Sequence, residues 1–190
     1  MAELHPVQHV KVKIFAREPV SVDLADAIPV FHRWIQERVC EELLIDVADY
    51  RHVTAGPGVM LIAHEANYSL DNTDNRLGLL YNRKSVLTGS AQENLQQAYQ
   101  AAVRACRRLE QEMVFRGKLQ FDEGDCEVTL NDRLLAPNNT ATYLAVKPEL
   151  EKLFGGCAIE WMSDPRELFR VRVKNRDSEV VPKISRHRAR

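Results

Sequence analysis

Leu43-Leu44-Ile45-Asp46-Val47-Ala48-Asp49-Tyr50, a turn through Gly56-Pro57-Gly58, then Val59 to Leu70 and Leu77 to Asn82: this stretch decides how the chain is read. Its apolar runs are rich in Val, Ile, Leu and Tyr, and Gly, Pro, Asn and Asp separate them. That pattern predicts a three-strand antiparallel meander. The stretch also holds the densest set of groups capable of chemistry, namely Asp46, Asp49, Tyr50, His52, His64 and Glu65, with Tyr68 close by.

Upstream, Val10, Val12 and Ile14 alternate with Lys11, Lys13 and Phe15, which predicts a half-buried first strand. Ile28, Phe31, Ile35 and Val39 recur at helical spacing, so a first helix is expected over about residues 27–40, capped by Ser21 or Asp26 and with Pro29 in its first turn. Downstream, Ser90 and Glu93 form a capping-box pattern. Leu95, Tyr99, Ala102, Cys106, Leu109 and Met113 then carry a long amphipathic helix to about Phe115. Leu119–Phe121 and Cys126–Leu130 predict a hairpin or a strand pair around Asp122-Glu123-Gly124-Asp125. A third helix, capped by Asn138 or Asn139, runs through Pro148, where a kink is expected, to Gly155-Gly156. Cys157–Met162 and Glu167–Lys174 predict a final hairpin.

Strands come both singly and in runs, which is not the strict alternation of a parallel α/β sheet. The expectation is an α+β fold, a mixed and largely antiparallel sheet with three helices on one face. Both halves begin strand–helix–strand, as a ferredoxin-like core would. Residues 1–175 are expected to form one domain, with 176–190 a basic, loosely held tail.

A 190-residue chain with 45% hydrophobic and 28% charged residues is ordinary globular composition, and a net charge of -1 names no partner. Charge is uneven, however: residues 166–190 carry nine Lys or Arg against three acidic residues. No apolar run approaches a membrane span, and the N-terminus has no secretory pattern. Cys40, Cys106, Cys126 and Cys157 are widely spaced and form no C-x-x-C pair, so reduced thiols in a cytoplasmic protein are expected.

His64-Glu65 opens the template H-E-x-x-H, but Tyr68 stands in the fifth position and the segment reads as a strand. On a strand His64 shares a face with Met60, Ile62, Ala66 and Tyr68, while Glu65 shares the other with Leu61 and Asn67. In a suitable register His64 meets Asp46 across the pair, and His52 closes the group from the turn. His64, Asp46 and Asp49 are therefore the candidate catalytic residues, with Tyr50, His52, Glu65 and Tyr68 as candidate ligand contacts. Two imidazoles and a carboxylate would suit zinc or iron, although a hydrogen-bonded histidine at the core edge accounts for the pattern with fewer assumptions. No metal is assigned and no cofactor is named by these residues. G-x-S-x-G, G-x-G-x-x-G and the Walker pattern are absent. Arg170, Arg172, Lys174 and Arg176 alternate along the last strand, which favours a charged edge that resists pairing over a nucleic-acid surface.

The chain thus reads as a soluble cytoplasmic binding or assembly module, homo-oligomeric and with a small-molecule ligand to be found. The alternative is an enzyme using the His64 group for acid–base or metal chemistry. Nucleic-acid contact through the basic C-terminus is a third reading.

Overall fold

Alternation and helical spacing in the chain resolve into eleven elements in the computed structural model, which describes residues 7–175. They are β1 (Val10–Ala16), α1 (Ala27–Glu37), β2 (Leu44–Tyr50), β3 (Gly58–Ala63), β4 (Ala66–Asp71), β5 (Gly78–Arg83), α2 (Ala91–Gln111), β6 (Phe121–Leu130), α3 (Thr140–Leu153), β7 (Cys157–Trp161) and β8 (Phe169–Asn175). The eight strands make one sheet in the order β2-β3-β4-β5-β1-β6-β8-β7. Every ladder in it is antiparallel, so the fold is α+β without the parallel pairs that a mixed sheet would hold. A ferredoxin-like core would leave one strand between β1 and β2; three stand there. The basic segment 176–190 lies outside the described residues.

The strand period sorts each sheet residue to one of two faces. Val12, Ile14, Leu61, Leu70, Leu79, Tyr81, Val128 and Val171 all point to the side covered by helices and are essentially inaccessible to water. Phe31 and Trp34 of α1, together with Leu95, Ala98, Ala102 and Leu109 of α2, close that layer. Each large side chain so buried contributes roughly 1.5–3 kcal/mol. Helix α3 packs on α2 and β7, with Tyr143 stacked on Trp161 at 5.1 Å. No described helix is long and apolar enough to cross a membrane.

Three local readings change. The run Val59–Leu70 is two strands, with His64 and Glu65 at the reversal between them. Neighbouring backbone holds this reversal: His64 N–H donates to Leu43 O, and Glu65 O accepts from Lys84 and Ser85. Asp122–Asp125 is not a turn but an irregularity within β6, where the register against β1 shifts. Helix α1 stops at Glu37 because Arg38 turns left-handed at φ 52 and donates back to Ile35 O and Trp34 O.

Candidate functional site

Among the described residues no helix covers the sheet's second face. Three strands lay charge on it at every second position: Lys11 and Lys13 on β1, Asp125 and Glu127 on β6, Arg170 and Arg172 on β8. A groove of about 420 Å³ runs over all of these except Asp125. The β4–β5 loop, with Thr73, Asp74 and Arg76, closes one end, and the β7–β8 loop, with Met162, Glu167 and Leu168, closes the other. That size lies within the range of small-molecule sites.

Most of the charges are engaged. Lys13 is 7% exposed, and its Nζ donates to Asp71 Oδ1 at 2.5 Å and to Thr73 O at 3.1 Å. Asp71 is further held by the Thr73 N–H and hydroxyl, at 3.1 and 2.9 Å. Lys13 reaches β4 across Gly78 on the intervening strand, where a Cβ would stand 3.0 Å from Lys13 Cε and 2.6 Å from Ile14 O. Glycine is needed at that crossing. Arg172 donates to Asp125 Oδ1 through Nε at 2.9 Å and Nη2 at 2.5 Å, and Arg76 pairs with the other oxygen of Asp125. Both guanidiniums lie on the Phe15 ring, at 3.9 Å for Arg76 and 4.0 Å for Arg172.

One row differs. Lys11, Thr129 and Arg170 are direct register partners on β1, β6 and β8. Arg170 gives Glu127 one contact, through Nη1 at 3.3 Å, and among the described residues its Nε and Nη2 have no partner. Among the described residues Lys11 and the Thr129 hydroxyl have no hydrogen-bond or ion-pair partner. Burial lowers the Lys11 pKa, and the charge of Asp71 offsets this in part. Burial likewise lifts the Glu127 and Asp125 carboxyls above their usual range, against the pull of Arg170 on Glu127 and of Arg76 on Asp125. The row continues the other way through Asn82 and Asn67, whose Oδ1 atoms are buried without a donor.

The residues singled out on the meander do not come together. His64 is at the hairpin tip, its side chain 70% exposed and 3.4 Å from Glu65. Asp46 pairs in register with Ile62, not with His64, and accepts from its own neighbour, the Val47 N–H. Asp49 is claimed by Arg51, whose side chain and N–H hold its carboxyl down to about 2. Tyr50 and His52 are exposed beside each other, ring centroids 6.3 Å apart. Tyr68 lies on the opposite, helix-covered face, where its hydroxyl donates to the buried Glu42 at 2.6 Å. Among the described residues no group of three or more His, Cys, Asp or Glu is placed to hold a metal ion.

The sequence did contain a signal for the groove. Lys-x-Lys, Asp-x-Glu and Arg-x-Arg alternate with apolar residues on three separate strands, in complementary signs. Finding the site needed the strand order that sets them side by side. No known protein family and no curated protein matches the sequence.

Proposed function

We propose that this protein is a binding module for a small organic anion, seated in the groove on the open face of the sheet. The observation that carries the reading is the row Lys11–Thr129–Arg170, three neighbouring side chains on the floor of a ligand-sized groove, each with donors uncommitted among the described residues. Arg170 supplies a permanent cation whose Nε and Nη2 donors have no partner among the described residues, Thr129 a hydroxyl, and Lys11 an amine at the far end of the row. Phe15, Leu80 and Leu168 give an apolar lining for the body of the ligand. A carboxylate suits the forked donors of Arg170. A nucleic-acid backbone fits less well, because Asp125 and Glu127 interleave with the arginines and neutralise them. All four cysteines are free, which supports a reducing, cytoplasmic setting.

Thermal unfolding against a panel of acetate, lactate, pyruvate, succinate, benzoate and inorganic phosphate tests the reading. At ten times its dissociation constant a ligand adds about 1.4 kcal/mol, or roughly 3–6 °C for a chain of this size. A carboxylate should give such a shift, and Arg170→Leu or Thr129→Val should lose it. A panel that leaves the transition unmoved sinks the proposal.

Assembly is the second reading, and β2 is the observation that favours it. This strand ends the sheet with Leu43 and Ile45 exposed at 65% and 54%. A free edge with outward apolar groups pairs readily with a second copy. Light scattering at micromolar concentration should then report a dimer that Ile45→Lys converts to monomer; a wild-type monomer removes the reading.

A further inference from the structure

We propose that the groove takes a small carboxylic acid bearing an aldehyde or ketone, and holds it as an imine on the Lys11 amine. This rests on the anion-binding reading and adds the chemistry of the ligand's other end. Two lysines on one strand, Lys11 and Lys13, are held differently. Lys13 is fixed by Asp71 and the Thr73 carbonyl, as a lysine kept for structure would be. Lys11, two residues earlier, faces the same groove half-buried and has no partner among the described residues. A lysine kept for solubility would extend into water instead. Arg170 already provides the fixed cation for a carboxylate, so a second permanent cation at Lys11 is not required. Burial lowers the Lys11 pKa, with Asp71 opposing in part, and so raises the share of the uncharged amine, the form that attacks a carbonyl.

The row also sets the reach. Lys11 and Arg170 flank Thr129 on adjacent strands, about 10 Å apart along the row, and both side chains are long enough to converge above it. An acid with its carboxylate on Arg170 and its carbonyl one or two carbons away brings that carbonyl toward Lys11. The Nζ lone pair adds to the carbonyl carbon, forming the C–N bond as the C=O π pair moves onto oxygen. That oxygen takes the proton the nitrogen gives up, and the Thr129 hydroxyl can donate to it. The carbinolamine hydroxyl then leaves as water with one proton from solvent in the open groove, and the nitrogen lone pair completes C=N. Amine, carbonyl and one proton give iminium and water, with no oxidant or reductant consumed.

The experiment treats the full chain with glyoxylate or pyruvate and sodium cyanoborohydride, then maps adducts by peptide mass spectrometry. Thermal unfolding with lactate, which has the carboxylate but no carbonyl, is run beside it. Lys11 should be alkylated at least roughly tenfold faster than the exposed Lys84, Lys118 and Lys152, because the groove holds the carbonyl against the amine. Lys11→Arg and Lys11→Met should both lose the fast adduct, and Lys118→Arg should keep it. Lactate stabilisation with adducts spread evenly over exposed lysines overturns the imine and leaves anion binding standing. No preference for Lys11 together with no stabilisation by lactate, pyruvate or any other anion of the panel overturns both.

Discussion

Lys13 and Asp71 show how a charged pair comes to be buried in a sheet that faces solvent. Their side chains are 9% and 3% exposed, and Thr73 supplies further partners to both, its carbonyl to Lys13 and its N–H and hydroxyl to the two oxygens of Asp71. Removing one partner strands the other, so Lys13→Met should cost about 3–5 kcal/mol in urea unfolding. The double variant Lys13→Met/Asp71→Leu should recover most of that. Additive losses in the two single variants would mean that the pair is not coupled. Glu127 gives a pH signature at the same scale. Its carboxyl is raised in the fold, chiefly by burial, so the folded chain holds that proton more tightly than the unfolded one. The stability this adds is complete below the unfolded value of about 4.3 and is lost as pH rises through the raised value. Glu127→Gln lacks the titration, so its stability relative to wild type should climb between about pH 4 and pH 7.5. A flat difference in urea midpoints would refute the raised carboxyl. At this scale the sequence showed which residues alternate but not whom they meet. Lys11 and Lys13 look alike in the chain, and only the register against β5 and β6 separates a paired lysine from one without a partner among the described residues.

Elements were legible where their signals are local. Ser90 accepts from the Glu93 N–H and Glu93 reaches back to the Ser90 N–H, as the spacing predicted. Ser90→Ala should therefore cost about 1 kcal/mol, read as a lower melting temperature with α2 content kept by circular dichroism. An unchanged transition would mean that packing of α2 on β1 and β5 alone holds the helix end. Asn139 caps α3 in the same way, accepting from the Thr142 N–H. Two turns were misjudged for opposite physical reasons. At Asp122–Asp125 the local turn chemistry is present, since Gly124 N–H donates to Asp122 Oδ1, yet pairing with β1 and β8 absorbs it as a bulge in β6. At His64–Glu65 no turn residue announces the reversal. The backbone groups are satisfied by Leu43, Lys84 and Ser85 from flanking segments, so no special side chain is called for. A histidine at a hairpin tip does not share a strand face with Asp46, so the expected meeting of His64 and Asp46 does not form.

At the scale of the molecule, β1 joins what would otherwise be two smaller sheets. It is bracketed by β5 on one side and β6 on the other, and the second pairing closes across more than a hundred residues of chain. Helix α2 spans the seam, packing on β5, β1 and β6 and also on α3. Ion pairs reinforce it on the open face, with Lys13 tied to β4 and Asp125 held from both the β4–β5 loop and β8. These links argue that the two halves unfold together, and the chain's two tryptophans lie where they can report on that. Trp34 is buried under the β2 side of the sheet and donates to Glu112, while Trp161 sits on β7 at the opposite edge, stacked on Tyr143 and donating to Asn138. Trp161→Phe leaves the first reporter and Trp34→Phe the second. In each variant the fluorescence transition in urea should coincide with the far-ultraviolet circular dichroism of that same variant, as one cooperative domain requires. If Trp161 fluorescence moved at lower urea than the circular dichroism, α3, β7 and β8 would be a separate, weaker unit. The groove, floored by β1, β6 and β8 together, would then lose Arg170 before the rest of the sheet unfolds.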